Sequence, residues 1–208
     1  MDAHRYGNPL GPIQGVGYAN ELIARLTGRP PTWDNTTHDP SRHFPLDRAM
    51  YVDFTHENLM VAVYSAIGLF NVSEPLDPKH MPARPDALKG KGRKGGNGNG
   101  NGGDEGWDWT ASRMVPFSAR MVTERLACSF EDPDGGDDDP EADGEYVRIF
   151  VNDELQPLEF CRFDKDGEDE ADVNVWKARE GLCLLEDFVE SQTYARGNGG
   201  GDFEKCWK

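Results

Sequence analysis

Residues 82–106 include the run KGKGRKGGNGNGNGGDEG, which offers almost no apolar side chain to a core. A tract of this kind has too little hydrophobic surface to offset the entropy lost on ordering it. Any fold must therefore be assembled from the apolar blocks on either side, and the tract reads as a flexible insertion. Its basic residues Lys89, Lys91, Arg93 and Lys94 are spaced by glycine, which suits a solvated linker better than an anion site. Two acidic stretches, 131–145 and 164–175, read as further insertions. The remainder is expected to be one domain over residues 1–208. Its 24 Gly and 14 Pro thin an apolar content of 37% into compact elements joined by long connections.

Upstream of the tract, Pro12 suits a first helical turn, and Val16, Ala19, Leu22, Ile23 and Leu26 recur at helical spacing until Gly28 and Pro30 stop the pattern. Met50 to Phe54 has the β-branched and aromatic content of a short buried strand. Leu59 to Phe70 reads as a buried helix with Met60, Val63, Ile67 and Phe70 on one face. That apolar run is far shorter than the roughly 20 residues a bilayer demands, so no membrane span is expected. Downstream, WDWTASRMVPFSARMVTERLACSF suits a strand bent at Pro116, with helix as the competing reading. EYVRIFVNDELQPLEF reads as a hairpin turning at Asn152-Asp153, and Leu185, Phe188, Val189 and Tyr194 mark a closing helix stopped by Gly197.

Charge excludes some partners. The 38 acidic side chains against 22 basic ones give a formal charge of −16, which repels nucleic acid and anionic membranes over most of the surface. A small anionic substrate in a locally positive site remains compatible. Cys128, Cys161, Cys183 and Cys206 have no CxxC spacing and no clustered His, so no metal is expected. The DKDGEDE run from Asp164 lacks a glycine at the sixth loop position and a closing Glu, which argues against a calcium loop.

The stretch MYVDFTHENLM carries the main chemical candidate. On one reading Thr55 caps a helix, Glu57 complements its dipole and His56 fills a gap. On the other, an imidazole and a carboxylic acid at a strand end and helix start can hold a phosphate oxygen and protonate a leaving alcohol. The proton is needed because an alkoxide is a poor leaving group. The residues alone leave both readings open.

The blocks YGNPLGPIQGVGYANELIARLTG, FPLDRAMYVDFTHENLMVAVYSAIGLFN, VPFSARMVTERLACS, VRIFVNDELQPLEFC, LEDFVESQTYARGNGG and KCWK resemble, in this order, the C-terminal part of fungal phytases in the histidine acid phosphatase family. The resemblance implies an α/β fold of the phosphoglycerate-mutase-like type, partial here, with a sheet flanked by helices. That family carries an early Arg-His-Gly-x-Arg-x-Pro, whose His is phosphorylated, and a later His-Asp. The later motif matches Asp53-Phe54-Thr55-His56-Glu57-Asn58, which implies that His56 contacts phosphate and Glu57 is the proton donor. Glu stands where Asp is typical, extending the carboxyl by roughly one ångström.

The nucleophile motif does not occur in the sequence. RHFPLDR, Arg42 to Arg48, has Phe44 where Gly is needed and Pro45 where a backbone donor is needed, so His43 is not read as a nucleophile. The expected activity is therefore hydrolysis of phytate or other phosphate monoesters through a phosphohistidine, with this chain supplying the proton-donor portion and inactive alone. No cofactor is implied.

By the same resemblance Cys161 and Cys183 pair in a local disulfide, while Cys128 and Cys206 match cysteines bonded to a more N-terminal portion. With sequons at Asn35 and Asn71, these features imply a secreted glycoprotein. The opening MDAHRYGNPLGPIQG nonetheless has no apolar signal region. Two alternatives stay open: a non-catalytic acidic binding protein derived from a phosphatase, and a broad-specificity acid phosphatase.

Overall fold

A computed structural model describes residues 11–31, 45–70, 111–128, 144–161 and 181–207, with main chain only at 159 and 203–207. The insertions expected at 82–106 and 164–175, most of the one at 131–145, both sequons, His43 and the basic run at 89–94 lie outside the described residues. Gly144 and Glu145, the downstream end of the 131–145 stretch, belong to a strand.

The first helix, α1, spans Gly11–Thr27 and buries Ile13, Val16, Ala19, Leu22 and Leu26, as its 3.6-residue spacing predicts. The second, α2, spans Glu57–Ile67. Its first turn is exposed, but Ala62 to Ile67 are buried on all sides, so the helix runs from solvent into the core. Gly68 ends it in the left-handed conformation at φ 99°, with its N–H donating to the Tyr64 carbonyl at 3.0 Å.

The two helices meet at Gly15. A Cβ placed there would lie 2.2 Å from the Ala62 carbonyl oxygen and 2.8 Å from the Ala66 methyl. Only a residue without a side chain permits this backbone approach.

Beyond α2, a one-turn helix α3 at Ala111–Met114 leads through a turn at Pro116 into strand β1, Met121–Cys128. The segment read as a bent strand with helix as competitor thus contains both. β1 pairs antiparallel along its whole length with β2, Gly144–Val151, from Met121↔Val151 to Cys128↔Gly144.

The expected hairpin follows. Asn152 and Asp153 take φ of 51° and 68°, the two left-handed turn residues that match strand twist, and the chain returns as β3, Glu154–Leu155. β4, Cys183–Leu184, pairs with the other end of β2 at Tyr146 and Val147. β2 is therefore central, and its Val147, Ile149 and Val151 join Leu22, Leu26, Val63, Tyr64, Ile67 and Phe188 in one core. The mixed α/β class expected from the sequence is what the described residues form, with an antiparallel sheet.

Long-range polar contacts bind these layers. The Arg125 guanidinium on β1 donates at 2.7 Å to the Leu26 carbonyl, one of the acceptors left open at the end of α1. The Tyr64 phenol, pushed up to about 12 by burial, donates to the Met114 carbonyl at 3.3 Å. The Asn152 side chain donates to the Arg113 carbonyl at 2.7 Å, tying the hairpin turn to α3.

The closing helix is broken in two, α4 at Leu185–Ser191 and α5 at Thr193–Arg196, with the break at Gln192. Gln192 is buried, and its amide donates to the Ile67 carbonyl at 3.1 Å, a bond to the end of α2 that the local pattern does not announce. Gly197 follows α5, where a stop was expected, and the 3₁₀ turns within Asn198–Trp207 are interrupted by a kink where Gly199, Gly200 and Gly201 take left-handed φ. Cys161 and Cys183 are joined in a disulfide, as the resemblance implies, across a separation of 22 residues.

Gly15→Ala should lower stability by about 1–3 kcal/mol through overpacking, even though Ala favours a helix by about 1 kcal/mol over Gly. The urea midpoint measures this, and an unchanged midpoint would show that α1 and α2 do not approach this closely.

Candidate functional site

The segment leading to His56 does not form the expected strand. Residues 51–56 have no ladder partner among the described residues, and Met50, Val52 and Phe54 are 77%, 62% and 95% exposed. Alternating β-branched and aromatic side chains favour a pleated surface but do not supply the neighbouring strand that buries it. Sequence reasoning identified the material of a strand and overstated its burial.

What holds the segment is α1. Arg25, in the last turn of that helix, makes a bidentate ion pair with Asp53, Nη1 to Oδ2 and Nη2 to Oδ1, the second at 3.3 Å. Its guanidinium also lies over the Tyr51 ring, 5.0 Å from the centroid. Tyr51 Oη in turn accepts the Arg48 backbone N–H at 3.2 Å.

Burial works against the Arg25 charge, but the hydrogen bond and charge of Asp53, with Glu21 behind them, hold its pKa above the ordinary guanidinium value. Burial, then the Asp53 charge, pushes the nearby Tyr18 phenol up. Glu21 is buried, with one carboxylate oxygen 3.5 Å from Arg25 Nη2 and the other without a hydrogen-bond partner among the described residues. Tyr51 and Asp53 are thus tethered to α1, while Met50, Val52 and Phe54 remain in solvent.

The tether delivers His56 to the start of α2. His56, not Thr55, is the N-cap: its φ and ψ are −109° and 159°, and its carbonyl accepts the Leu59 and Met60 N–H groups at 3.1 Å each. The imidazole makes no capping hydrogen bond and is exposed. Glu57, the first helical residue, is exposed beside it.

In a helix, the N–H groups of Glu57 and Asn58 have no intrahelical acceptor, so this end is partially positive. The Leu59 N–H is shared between the His56 carbonyl and Asn58 Oδ1, the latter at 2.8 Å. An anion approaching here meets main-chain donors, an imidazole and a carboxyl group within three consecutive residues. That set can bind a phosphate oxygen and transfer a proton to an adjacent ester oxygen.

Arg25 was the residue sequence reasoning missed. Its i,i+4 spacing from Glu21 is visible in ELIAR, but its partner Asp53 lies 28 positions away. An open cavity of about 490 Å³ lies elsewhere, between α3 and the β2–β3 turn, lined by Phe70, Arg113, Met114, Asn152 and Glu154 among others, and includes neither His56 nor Glu57. Among the described residues no group of three or more His, Cys, Asp or Glu could hold a metal ion, and no helix is long and apolar enough to cross a membrane. Cys128 is a half-buried free thiol.

Residues 2–152 match the family described as the histidine phosphatase superfamily (branch 2). The chain is 37% identical over 204 residues to a protein named Phytase A from Arthroderma benhamiae, a match covering 96% of this chain and 36% of that protein. It is 36% identical over 206 residues to Phytase A of Aspergillus fumigatus, covering 97% of this chain and 34% of the relative. With Phytase A of Neurospora crassa the identity is 35% over 212 residues, covering 97% and 37%. The chain therefore spans about a third of the length of the curated relatives it matches.

Arg25→Met removes the cation shared by Asp53 and the buried Glu21, and is expected to cost about 1–3 kcal/mol through the unpaired carboxylate. It should also broaden the amide resonances of residues 51–56 while those of β2 stay unchanged. Unchanged resonances across 51–56 would remove Arg25 as the tether.

Proposed function

We propose, because this chain belongs to the histidine phosphatase superfamily (branch 2), that the start of α2 is the proton-donor side of a phosphomonoesterase site. His56 contacts the phosphate and Glu57 protonates the leaving alcohol. The observation that carries this reading is the position of the pair: an exposed imidazole and carboxyl on the cap and first residue of a helix whose N–H groups face solvent. The relatives named Phytase A point to phytate or a related phosphate monoester as substrate.

The reaction requires a second group. Transfer of the phosphoryl to a histidine breaks the P–O ester bond as the alcohol leaves with the Glu57 proton. Water then cleaves the phosphohistidine, with the carboxylate taking up a proton from it. Arg-His-Gly-x-Arg-x-Pro, the motif that would supply that histidine, does not occur in these 208 residues. The chain on its own is accordingly read as inactive. The secreted, glycosylated character implied by the sequons and cysteines belongs to the same reading.

The test is a chimera in which this chain replaces the matched stretch of the Arthroderma benhamiae Phytase A. The chimera should release phosphate from phytate and from p-nitrophenyl phosphate. Glu57→Gln should slow hydrolysis of alkyl phosphates by about 10²-fold or more, and of p-nitrophenyl phosphate far less, because only a poor leaving group needs the proton. Equal losses on both substrates would remove Glu57 from the role. A folded chimera with no turnover would favour a non-catalytic acidic binding protein, and hydrolysis of p-nitrophenyl phosphate without phytate would favour a broad acid phosphatase. Turnover by the 208-residue chain alone, lost in His43→Ala, would place the nucleophile in RHFPLDR.

A further inference from the structure

We infer that the open cavity of about 490 Å³ between α3 and the β2–β3 turn is a binding site for a free α-amino acid with an apolar side chain. Its volume falls within the roughly 300–1,000 Å³ of small-molecule sites. Its walls carry one cation, Arg113, and one carboxylate, Glu154, both exposed. Among the described residues neither of them forms an ion pair. By contrast Arg120, Arg125 and Arg148 hold Asp153, Glu145 and Glu124 respectively. Asp153 is thereby engaged, and Glu154 is the charge that the β2–β3 turn has left to offer.

The two charges select the ligand. A phosphate or simple carboxylate would pair with Arg113 but be repelled by Glu154 and by a chain of formal charge −16. A simple amine would pair with Glu154 and be repelled by Arg113. A zwitterion satisfies both groups: its carboxylate takes the guanidinium fork, its ammonium faces Glu154, and it brings no net charge.

Gln156, only 2% exposed, also lines the cavity. Its side-chain amide donates to the Glu154 carbonyl at 2.8 Å, while its Oε1 accepts no hydrogen bond among the described residues. A desolvated acceptor of this kind gains by receiving an ammonium proton. Phe70, Met114 and Val151 supply apolar wall for the ligand's side chain.

The walls are held before any ligand arrives. The Asn152 side chain donates to the Arg113 and Met114 carbonyls at 2.7 and 3.2 Å, the Tyr64 phenol reaches the same Met114 carbonyl, and the Phe70 ring sits edge-on to Tyr64 with centroids 5.4 Å apart. A site already ordered loses little entropy on binding. It is separate from the start of α2, since Phe70 lies beyond the far end of that 11-residue helix, about 16 Å from His56 at a rise of about 1.5 Å per residue.

The test is titration of L-phenylalanine into the isotope-labelled 208-residue chain, followed by its amide resonances. Saturable shifts are expected at residues 112–115 and 151–156, with residues 56–58 unmoved. Phenylacetate, which lacks the ammonium, and phenethylamine, which lacks the carboxylate, should each bind about tenfold more weakly or worse. Arg113→Met and Glu154→Gln should weaken phenylalanine binding by a similar factor without changing the melting temperature. Arg29→Met, at an exposed arginine outside the cavity, should leave binding unchanged.

No saturable shift with phenylalanine overturns the assignment. So does binding of phenylacetate as tight as that of phenylalanine, which would make the cavity an anion site, and so do shifts that Arg113→Met leaves intact. The analogue series uses the unaltered chain, so it decides the matter even where a variant does not fold. None of these outcomes depends on the proposed phosphatase reading.

Discussion

The close approach of α1 to α2 at Gly15 is the contact on which the remaining geometry depends. It brings backbone against backbone, so it fixes the separation of the helices more tightly than interdigitated side chains would. Both helices contribute to one core with β2, and both ends of the pair are secured from elsewhere. Arg125 of β1 closes the carbonyl end of α1, and Gln192 reaches the end of α2. The amino end of α2 is left facing solvent as a consequence. Its last two turns are buried, which orients the helix, and its first turn projects beyond the core with His56 and Glu57 on it.

Electrostatics favours the start of α2 as the candidate site on this otherwise acidic chain. A formal charge of −16 would discourage a phosphate ester from the surface at large. The helix N-terminus provides local positive potential, and Arg25 neutralises Asp53, the carboxylate three residues before His56. The ion pair therefore has two effects: it fastens the segment mechanically and removes a negative charge from the approach to the candidate site.

Much of this was legible in the sequence. The 3.6-residue period of Val16, Ala19, Leu22 and Leu26 marked α1, and Asn152-Asp153 marked the hairpin, because both depend on local backbone preferences. The His56-Glu57 pair was found by matching a motif in order along the chain, and its position at a helix start follows from the same pattern. The reading failed where structure depends on distant partners. Met50 to Phe54 has the composition of a buried strand, but burial requires a second strand, which composition cannot supply. One closing helix was expected where Gln192 divides two, because its bond to Ile67 spans 125 residues. The Arg25–Asp53 ion pair joins residues 28 positions apart, so no local pattern announces it.

The claim at the centre of this account is that a rigid helix pair presents an unpaired segment ending in His56 and Glu57. Residue-resolved amide hydrogen exchange of the purified 208-residue chain tests it most directly. Strong protection along α1 and the buried part of α2, with residues 51–55 exchanging near the rate of unstructured peptide, is the result the account predicts. Protection across 51–55 equal to that of α2 would contradict it, since the segment would then already be paired.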